Sequence, residues 1–394
     1  MPILVLNCGS SSIKFAVIDA SCGERILEGS AEDLGGAGPG SLRWLAGDET
    51  GGGELAGARH EDALRSITDL LGRREGLRDS IRGVGHRVVH GGEVFTGSAL
   101  IDTAVLERIE ALSRLAPLHQ PFNLLGIRAM QGLFPALPQV AVFDTAFHQT
   151  MPERAYLYAV PHALYREHGV RRYGFHGISH RYVAGEAVRM LELSPARSAL
   201  ITAHLGNGCS ATAIENGRSV DTSMGLSPLE GLVMGTRSGD VDPGLHEFLA
   251  ERLDLDVAGV TALLNRESGL LGLSELSNDM RRLTEAAERG HARAALAVEL
   301  FCYRLAKHLA ALVVPLGRLD ALVFTGGIGE NAAGVRERVV ALLGHLGLRL
   351  DEERNAEHGV RSRGVITTDD PPVAVVVPTD EELLIASDTA ALTR

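Results

Sequence analysis

The chain has 394 residues, more than one ordinary hydrophobic core accommodates, and this length favours two domains. Hydrophobic residues make up 45% of it and the mean hydropathy is +0.07, as in a globular protein with a sizeable core. The formal net charge of −12 argues against a nucleic-acid-binding protein, because such a protein needs a net basic face.

The N-terminus and the cysteines favour a cytoplasmic protein. The segment from Met1 to Asn7 is apolar from the start and has neither a basic region nor a small-residue cleavage site, so we interpret it as a buried strand and not a signal peptide. No apolar run approaches the roughly 18 residues that a membrane span needs. The four cysteines show no CxxC spacing, which is typical of reduced thiols. We therefore expect no membrane and no nucleic-acid partner.

The first half of the chain predicts a hairpin, then helices and a further strand. Apolar runs at residues 3–6 and 13–18 flank a polar turn, which predicts two strands joined tightly. Residues 35–58 are rich in glycine and show no periodicity, so we expect a surface loop or a short excursion there. Helices are predicted around residues 103–114 and 121–133, and a strand at residues 140–143.

The second half repeats this pattern. Strands at residues 199–204 and 211–214 flank a second Gly-rich turn, and further strands are predicted at 321–324 and 373–377. A long helix is predicted within residues 292–314, with Leu296, Leu300 and Ala311 as its core stripe and Pro315–Gly317 as its end. A last helix starts at about residue 381. The repeated strand–turn–strand unit predicts an internally duplicated α/β fold with a boundary near residue 150.

Three turns rich in glycine and serine each follow an apolar strand, at residues 7–12, 204–208 and 326–331. Such turns expose successive backbone N–H groups and can hold phosphate, although each alone is more often structural. Three in one chain favour a nucleotide. The chain has no GxxxxGK[ST] motif, which excludes a P-loop. The pattern resembles the scheme of sugar kinases, heat-shock ATPases and actin, in which two hairpin turns hold the phosphates of ATP.

Longer motifs follow one another along the chain: Asn7–Phe15, His86–Gly92, Val142–His148, Tyr173–His180, Met234–Asp240 and Pro378–Glu382. Together they resemble the motifs of the acetate kinases, the acetokinase family. Two places depart from the family pattern. Gln120 and Phe122 stand where these enzymes usually have asparagine and a small residue, and residues 35–58 have no clear counterpart in the family.

The resemblance implies a duplicated ribonuclease-H-like α/β fold of two domains with a central cleft. Residues 1–150 would bind acetate, with the helix at about 380–394 packing back on them. Residues 151–380 would bind nucleotide and form the interface of a homodimer. The implied activity is reversible, direct in-line phosphoryl transfer between ATP and acetate, giving acetyl phosphate and ADP, with Mg²⁺ or alternatively Mn²⁺.

Three side chains are implied to act on the transferred phosphoryl group or on acetate. Arg87 would bind acetate and Arg237 would stabilise charge on the phosphoryl group, since a guanidinium offers a planar fork that stays charged. The ordinary alternative for each is an ion pair with a nearby carboxylate. His176 would donate to the transition state, the alternative being a structural buried histidine. Its spacing to His180 does not indicate zinc, because the HExxH glutamate and a cysteine partner are missing.

The resemblance also implies a metal site. Asn7 and Glu381 would hold Mg²⁺, which prefers oxygen ligands and needs few protein groups beside phosphate. The family assigns Asp144 as a proton donor or acceptor. Acetate is already ionised at pH 7, since carboxylates have pKa values of about 4 to 5, so we predict that Asp144 instead holds Mg²⁺ or its water.

The remaining residues implied by the resemblance line two pockets. Lys14 would reach the ATP phosphates or else face solvent from its strand. The pocket for the acetate methyl group would consist of Val89, Leu118, Phe175 and Pro228. The nucleotide would contact Lys14, His204, Leu205, Gly206, Asn207, Gly208, Asp279, Met280, Arg281, Gly327, Ile328, Gly329, Glu330 and Asn331.

Two alternatives to an acetate kinase stay open at this point. A propionate or butyrate kinase would share every motif above. An actin-like or chaperone-type ATPase belongs to a different functional class, and it would need a polymer surface or a peptide-binding module beyond the two ATPase halves.

Overall fold

The computed structural model describes residues 1–36, 38–55, 57–117 and 119–394. The chain divides into two compact units, residues 1–147 together with 380–394, and residues 148–379. Within the described residues, no helix combines the length and apolarity that crossing a membrane requires.

The first unit starts with a meander of strands, followed by helices that alternate with further strands. Most of its strands are apolar on at least one face, and β8 is buried at all five positions, as expected for a strand covered on both faces. Its elements in chain order are β1 (Pro2–Cys8), β2 (Ile13–Asp19), β3 (Glu24–Glu32), β4 (Ser41–Ala46), β5 (Glu49–Glu54), α1 (His60–Arg73), α2 (Leu77–Ser80), β6 (Gly83–Val88), β7 (Ala99–Leu100), α3 (Thr103–Ala111), α4 (Gln120–Leu133) and β8 (Gln139–Phe143).

The eight strands form one sheet in the order β5-β4-β3-β2-β1-β6-β8-β7. The strands from β5 to β1 are antiparallel neighbours, whereas β1, β6 and β8 are parallel. The main core of the unit lies between one face of this sheet and helices α1 and α4, and it includes Leu6, Phe15, Ile67 and Met130. The predicted hairpin at the N-terminus is confirmed, with Asn7 opposite Lys14 in its register.

The expectation of a loop or short excursion over residues 35–58 is wrong for most of that stretch. Strands β4 and β5 form a hairpin there that extends the sheet at its edge. Apolar residues alternate with others only over the short strand β4, where Leu42, Trp44 and Ala46 pack against the core. Its partner strand contains Gly51–Gly53, which carry no apolar signal and have low strand propensity. Trp44, the only tryptophan of the chain, lies beneath the guanidinium of Arg74 at 4.6 Å from the ring centre.

The second unit combines a smaller sheet with most of the helices of the chain. Strands β9 and β12 are almost entirely buried. Its elements in chain order are α5 (Glu153–Tyr156), α6 (His162–His168), α7 (Gly177–Met190), β9 (Ala199–Leu205), β10 (Cys209–Glu215), β11 (Arg218–Thr222), α8 (Gly244–Leu253), α9 (Val257–Arg266), α10 (Gly269–Ser274), α11 (Met280–Glu288), α12 (Ala292–Ala311), α13 (Val313–Leu316), β12 (Ala321–Thr325), α14 (Gly326–Asn331), α15 (Ala333–Leu342), α16 (Glu352–Ala356) and β13 (Val373–Val376).

The sheet of the second unit repeats the centre of the first. Its order is β11-β10-β9-β12-β13, with the first three strands antiparallel and β9, β12 and β13 parallel. The first unit has the same arrangement in β3-β2-β1-β6-β8. The predicted duplication of a ribonuclease-H-like α/β unit is therefore confirmed.

The core stripe predicted for α12 is wrong. Leu296 is 54% exposed, Ala311 is also exposed and Leu300 is only partly buried. The helix carries apolar residues on two faces, and the face made by Ala297, Val298 and neighbouring turns is the one that is buried. The buried residues are Ala294, Ala297, Val298, Phe301, Cys302, Leu305, Ala306 and Leu309.

A last helix, α17 (Glu381–Leu392), belongs to the first unit. Its N-cap is Asp380, whose Oδ1 accepts from the Leu383 N–H at 2.9 Å. The helix lies directly on β6 at Gly85, where a Cβ would come within 2.6 Å of Ile385 and 2.5 Å of Thr389. This close approach needs glycine and fixes where the first turn of α17, with Glu381, is placed in the unit.

Candidate active site

Arg87, at the end of β6, holds two of the other predicted side chains of the first unit. Its Nε donates to Asp144 Oδ1 at 2.8 Å and its Nη2 donates to Asp144 Oδ2 at 2.6 Å, a bidentate pair. Its Nη1 donates to Asn7 Oδ1 at 3.3 Å. The Asp144 side chain is only 2% exposed. The ion pair that was the alternative for Arg87 is thus present, and it brings Arg87, Asn7 and Asp144 together.

Glu381 lies in the field of the same guanidinium. The pKa of Glu381 is raised to about 7, chiefly by burial; the charges of Asp144 and Glu382 also raise it, whereas Arg87 and Lys14 lower it. The buried position of Glu381 therefore disfavours its ionised form, although Arg87 opposes this effect. Among the described residues, no three His, Cys, Asp or Glu side chains form a metal cage by themselves. The oxygen donors of Asn7 and Glu381 suit Mg²⁺, with further ligands coming from phosphate and water.

The two residues that depart from the family pattern have structural contacts in the first unit, and one of them, Phe122, supports the turn at residues 7–12 through His60. Phe122 stacks on His60 with ring centres 4.6 Å apart, and His60 Nε2 lies 2.8 Å from the Gly9 carbonyl oxygen. Gln120 is fully buried and its Nε2 donates to the His90 carbonyl at 2.9 Å. Lys14 is exposed on β2 and borders a groove of about 550 Å³ on the outer part of the sheet.

In the second unit, four histidines and several hydroxyl groups form a buried polar cluster. His176 is the N-cap of α7 with φ of 56°, an uncommon conformation for a residue with a side chain. Its ring stacks on His204, with centres 4.4 Å apart. Its Nδ1 lies 2.9 Å from Ser210 Oγ, and His180 Nε2 lies 2.7 Å from the same oxygen. The polar partners of His204 and His148 include Ser179 and Ser219.

Arg237 lies beside His176, with Gly208 against both. A Cβ at Gly208 would be 3.4 Å from Arg237 Nη1 and 3.5 Å from His176 Nε2. Nη1 of Arg237 donates to the Pro228 carbonyl at 3.1 Å and contacts Met234 Sδ at 3.7 Å. Burial lowers the pKa of Arg237, and within the described part of the chain its hydrogen bonds go to this carbonyl and this sulfur atom and not to a carboxylate. This guanidinium is therefore available to an anion.

A cleft of about 480 Å³ opens in the same unit, between the turn after β9 and the starts of α11 and α14. Most of its walls come from the residues predicted to bind nucleotide. Sequence reasoning missed Asn278 and Ala332; Asn278 could have been found as the polar turn residue before the predicted Asp279, and its Nδ2 donates to Asn207 Oδ1 at 3.0 Å. The lining residues are Gly206, Asn207, Asn278, Asp279, Met280, Arg281, Gly327, Ile328, Asn331 and Ala332.

The other predicted nucleotide residues of this unit lie outside the cleft lining. Leu205 is fully buried, and Gly329 lies on the side of α14 that faces the backbone of β12. Glu330 has a structural role, because its Oε1 accepts from the Gly326 N–H at 2.9 Å and from the Thr379 N–H at 3.1 Å. His204 and Gly208 contact His176 and not the cleft.

Of the four residues predicted to surround the acetate methyl group, three lie within the described part of the chain. Val89 is buried at the end of β6, where its N–H donates to Asn123 Oδ1 at 3.0 Å. Phe175 is buried and Pro228 is partly buried, both in the second unit. Leu118 lies outside the described residues.

One supporting residue gave no functional signal in the sequence. Arg336 of α15 is fully buried, and its Nη1 donates to the carbonyls of Gly329 and Glu330 at 2.9 and 2.8 Å. Its other nitrogens reach Asn355 and His358. Arg336 thus secures the end of α14, a wall of the cleft.

The chain is similar to known proteins over almost its whole length. A protein named acetate kinase from Ectopseudomonas mendocina is 56% identical over 390 residues, covering 99% of this chain and 98% of its own. The crystal structure of a propionate kinase from Francisella tularensis matches with a TM-score of 0.94 and 44% identity over 99% of both chains. That of Porphyromonas gingivalis acetate kinase matches with a TM-score of 0.92 and 43% identity over 100% of both chains. A model described as the acetokinase family matches residues 2–387, and the chain belongs to this family.

Proposed function

We propose that this chain is an acetate kinase that transfers the γ-phosphoryl group of ATP to acetate, reversibly and in line. The observation that carries the proposal is the meeting of Arg237 and His176 over Gly208, the residue that ends the turn bordering the nucleotide-sized cleft. Among the described residues, the Arg237 guanidinium has no carboxylate partner, and the His176 imidazole lies next to it. Together these two groups suit the equatorial oxygens of a transferring phosphoryl group.

The reaction needs no proton transfer. A carboxylate oxygen of acetate forms a bond to the γ-phosphorus as the bond from that phosphorus to the β–γ bridging oxygen breaks. ADP leaves with the electron pair, and acetyl phosphate is the other product. Catalysis then depends on position and charge stabilisation, the terms that dominate phosphoryl transfer. The bidentate pair of Asp144 with Arg87 supports a positioning role for this carboxylate.

We propose that Asn7 and Glu381 hold Mg²⁺, with Asp144 supporting the ion or its water and Mn²⁺ as a substitute. The oxygen donors around Arg87 support this assignment, as does the raised pKa of the Glu381 carboxyl, whose charged form a bound cation would stabilise. When bound, the ion would neutralise charge on the phosphates. Arg87 keeps Asp144 and Asn7 in place, and its position in this group is compatible with binding the carboxylate of acetate.

The test of the function is the formation of acyl phosphate, trapped as a hydroxamate, from MgATP with acetate, propionate and butyrate. We expect acetate to be the best acceptor. A preference for propionate would make the chain a propionate kinase, as its similarity to the Francisella protein keeps possible. ATP hydrolysis that no short-chain acid alters would exclude both and favour an ATPase of the actin or chaperone type.

We propose further that the enzyme is a cytoplasmic homodimer formed through the second unit. Leu296 and Tyr303 are 54% and 53% exposed, and they lie seven residues apart on the same face of α12. Val314, on the next helix α13, is exposed as well. The compartment follows from the use of ATP and from the free cysteines.

Light scattering should give twice the chain mass of 41.9 kDa for the wild type. The double variant Leu296→Lys, Tyr303→Lys should be monomeric, whereas Leu342→Lys, a control at an exposed leucine on α15, should stay dimeric. A monomeric wild type, or a double variant that remains dimeric, would contradict the proposed interface.

A further inference from the structure

A line of buried hydrogen bonds runs from the sheet of the second unit to the ring of His176. Thr202 Oγ1 of β9 lies 2.7 Å from His180 Nδ1. His180 Nε2 lies 2.7 Å from Ser210 Oγ, and Ser210 Oγ lies 2.9 Å from His176 Nδ1. Thr202, His180 and Ser210 are all fully buried. The line thus has four members and no access to solvent at its centre.

The hydrogen bonds of this line can be oriented in only two ways. His180 is neutral, because burial lowers its pKa well below the ordinary value, so one of its nitrogens donates and the other accepts. In the outward direction, Thr202 donates to His180, His180 donates to Ser210 and Ser210 donates to His176 Nδ1. In the inward direction each of these bonds is reversed.

Thr202 decides between the two directions. Its hydroxyl has a single polar partner, His180 Nδ1, in the described residues. In the inward direction this hydroxyl would accept from His180, and its own proton would be buried without an acceptor. The outward direction pairs every proton of the line. Because an unpaired buried donor is costly, the outward direction is favoured by about tenfold or more.

We propose that Thr202, His180 and Ser210 fix the tautomer of His176, leaving its proton on Nε2, the nitrogen that lies against Gly208. These three are positioning residues, since none of them contacts the cleft. The same bonds oppose protonation of His176, because a proton on Nδ1 would reverse the line. The location of the proton on Nε2 is independent of the function proposed above. Donation from this Nε2–H to the transferred phosphoryl group rests on that function.

Other titratable groups face this line from every side. The ring of His204 stacks on His176, and the ring of His148 meets the edge of His180 with centres 5.8 Å apart. Arg237 adjoins His176 across Gly208. Cys209 precedes Ser210, and burial raises its pKa to about 12, so it stays a neutral thiol. The positive charge of Arg237 acts in the same direction as the line, against a second proton on His176.

Nitrogen NMR of the full-length protein with ¹⁵N-labelled histidine tests the proposal directly in the resting state. A His176→Gln variant identifies the signals of His176. The wild type should show His176 protonated at Nε2 and not at Nδ1 near neutral pH. A wild type with the proton on Nδ1, or with comparable amounts of both tautomers, overturns the proposal whether or not the chain phosphorylates acetate.

Two variants at Thr202 separate this effect from simple packing. Thr202→Val keeps the shape and removes the hydroxyl, so the Nδ1–H form of His176 should become populated and the pKa of His176 should rise. The kcat for acetyl phosphate formation should fall about twofold or more, with the KM for ATP unchanged. Thr202→Ser restores a hydroxyl and should recover both the tautomer and kcat. A lower kcat in Thr202→Val with an unaltered tautomer would show a structural role only and would overturn the proposal.

Discussion

At the scale of single residues, the two predicted arginines turn out to differ. Both belong to motifs that predict anion binding, and sequence alone assigns each the same alternative, an ion pair. Arg87 makes that pair with Asp144. Arg237 binds a carbonyl and a sulfur atom instead. The side chains were predictable because they lie in motifs, but their partners were not, because an ion pair joins residues 57 positions apart.

Arg237→Ala should lower kcat by at least about a hundredfold with a modest change in the KM for ATP, since Arg237 acts mainly on charge in the transition state. Steady-state kinetics in both directions would measure this. Arg218→Ala removes an exposed arginine on β11 of the same unit and should leave both constants unchanged. A near-wild-type kcat/KM in Arg237→Ala would show that this guanidinium does not face the phosphoryl group.

Asp144→Asn should be badly impaired, because it removes the charge that pairs with Arg87 and supports the metal site. If Asp144 serves Mg²⁺, higher metal concentration should restore activity better than higher pH does. Activity titrations with Mg²⁺, and separately with small external bases, would distinguish the two roles. Rescue by the bases at fixed metal would return Asp144 to proton transfer.

Val89→Ala should widen the acyl pocket. A methylene that fits contributes about 0.8 kcal/mol, whereas one forced against packed walls costs roughly 1–3 kcal/mol. For the wild type, kcat/KM should therefore fall about tenfold or more per carbon from acetate to butyrate. The variant should favour propionate and butyrate relative to acetate, with kcat for acetate largely kept. Val94→Ala, at an exposed valine, is the control. An unchanged ratio would mean that Val89 is only a core residue.

At the scale of elements, the strands that end at Gly-rich turns could be predicted from the sequence. The elements whose position depends on tertiary packing could not. The runs at β1, β2, β9 and β12 are apolar because each is buried. The hairpin of β4 and β5 lies at a sheet edge, and glycines replace the apolar alternation on β5. Helix α12 has two apolar faces, so its sequence does not show that Leu296 is outside and Val298 inside.

Arg336→Met should destabilise the wall of the nucleotide cleft at α14. The carbonyls of Gly329 and Glu330 would lose a buried charged donor, which should cost at least about 2 kcal/mol of unfolding free energy. The KM for ATP should rise, because Gly327, Ile328 and Asn331 line the cleft. Urea unfolding and kinetics would measure both effects. Arg338→Met, at an exposed position of the same helix, should change neither.

At the scale of the whole molecule, the repeated strand order explains why the duplication could be predicted from two turns. In each unit the first two strands of the sheet's repeated part form a hairpin, and the two parallel strands are added on the same side of the first of them. The helices inserted between these strands differ in number and length, so they carry no repeat in sequence. The buried histidines of the two units make the stability of the whole chain depend on pH.

Stability should fall as pH decreases from about 6.5 to about 4. Burial lowers the pKa of His86 from 6.5 to about 4, so over this range the unfolded chain binds a proton that the folded chain does not. Over this range, His86 alone should lower the free energy of unfolding by about 1.4 kcal/mol for each pH unit towards acid. His86→Gln keeps an N–H donor for Gln139 and removes the titration. Its free energy of unfolding should depend less on pH; an unchanged dependence would refute the assignment.

The position of the only tryptophan has a consequence for spectroscopy. Trp44 lies in β4, within the first unit, and Arg74 covers its ring. Selectively excited tryptophan emission therefore reports the melting of that unit alone. Circular dichroism at helical wavelengths is weighted instead to the second unit, which holds most of the helices. If the units melt separately, the two signals will give different midpoints, and coincident curves will mark a single cooperative transition.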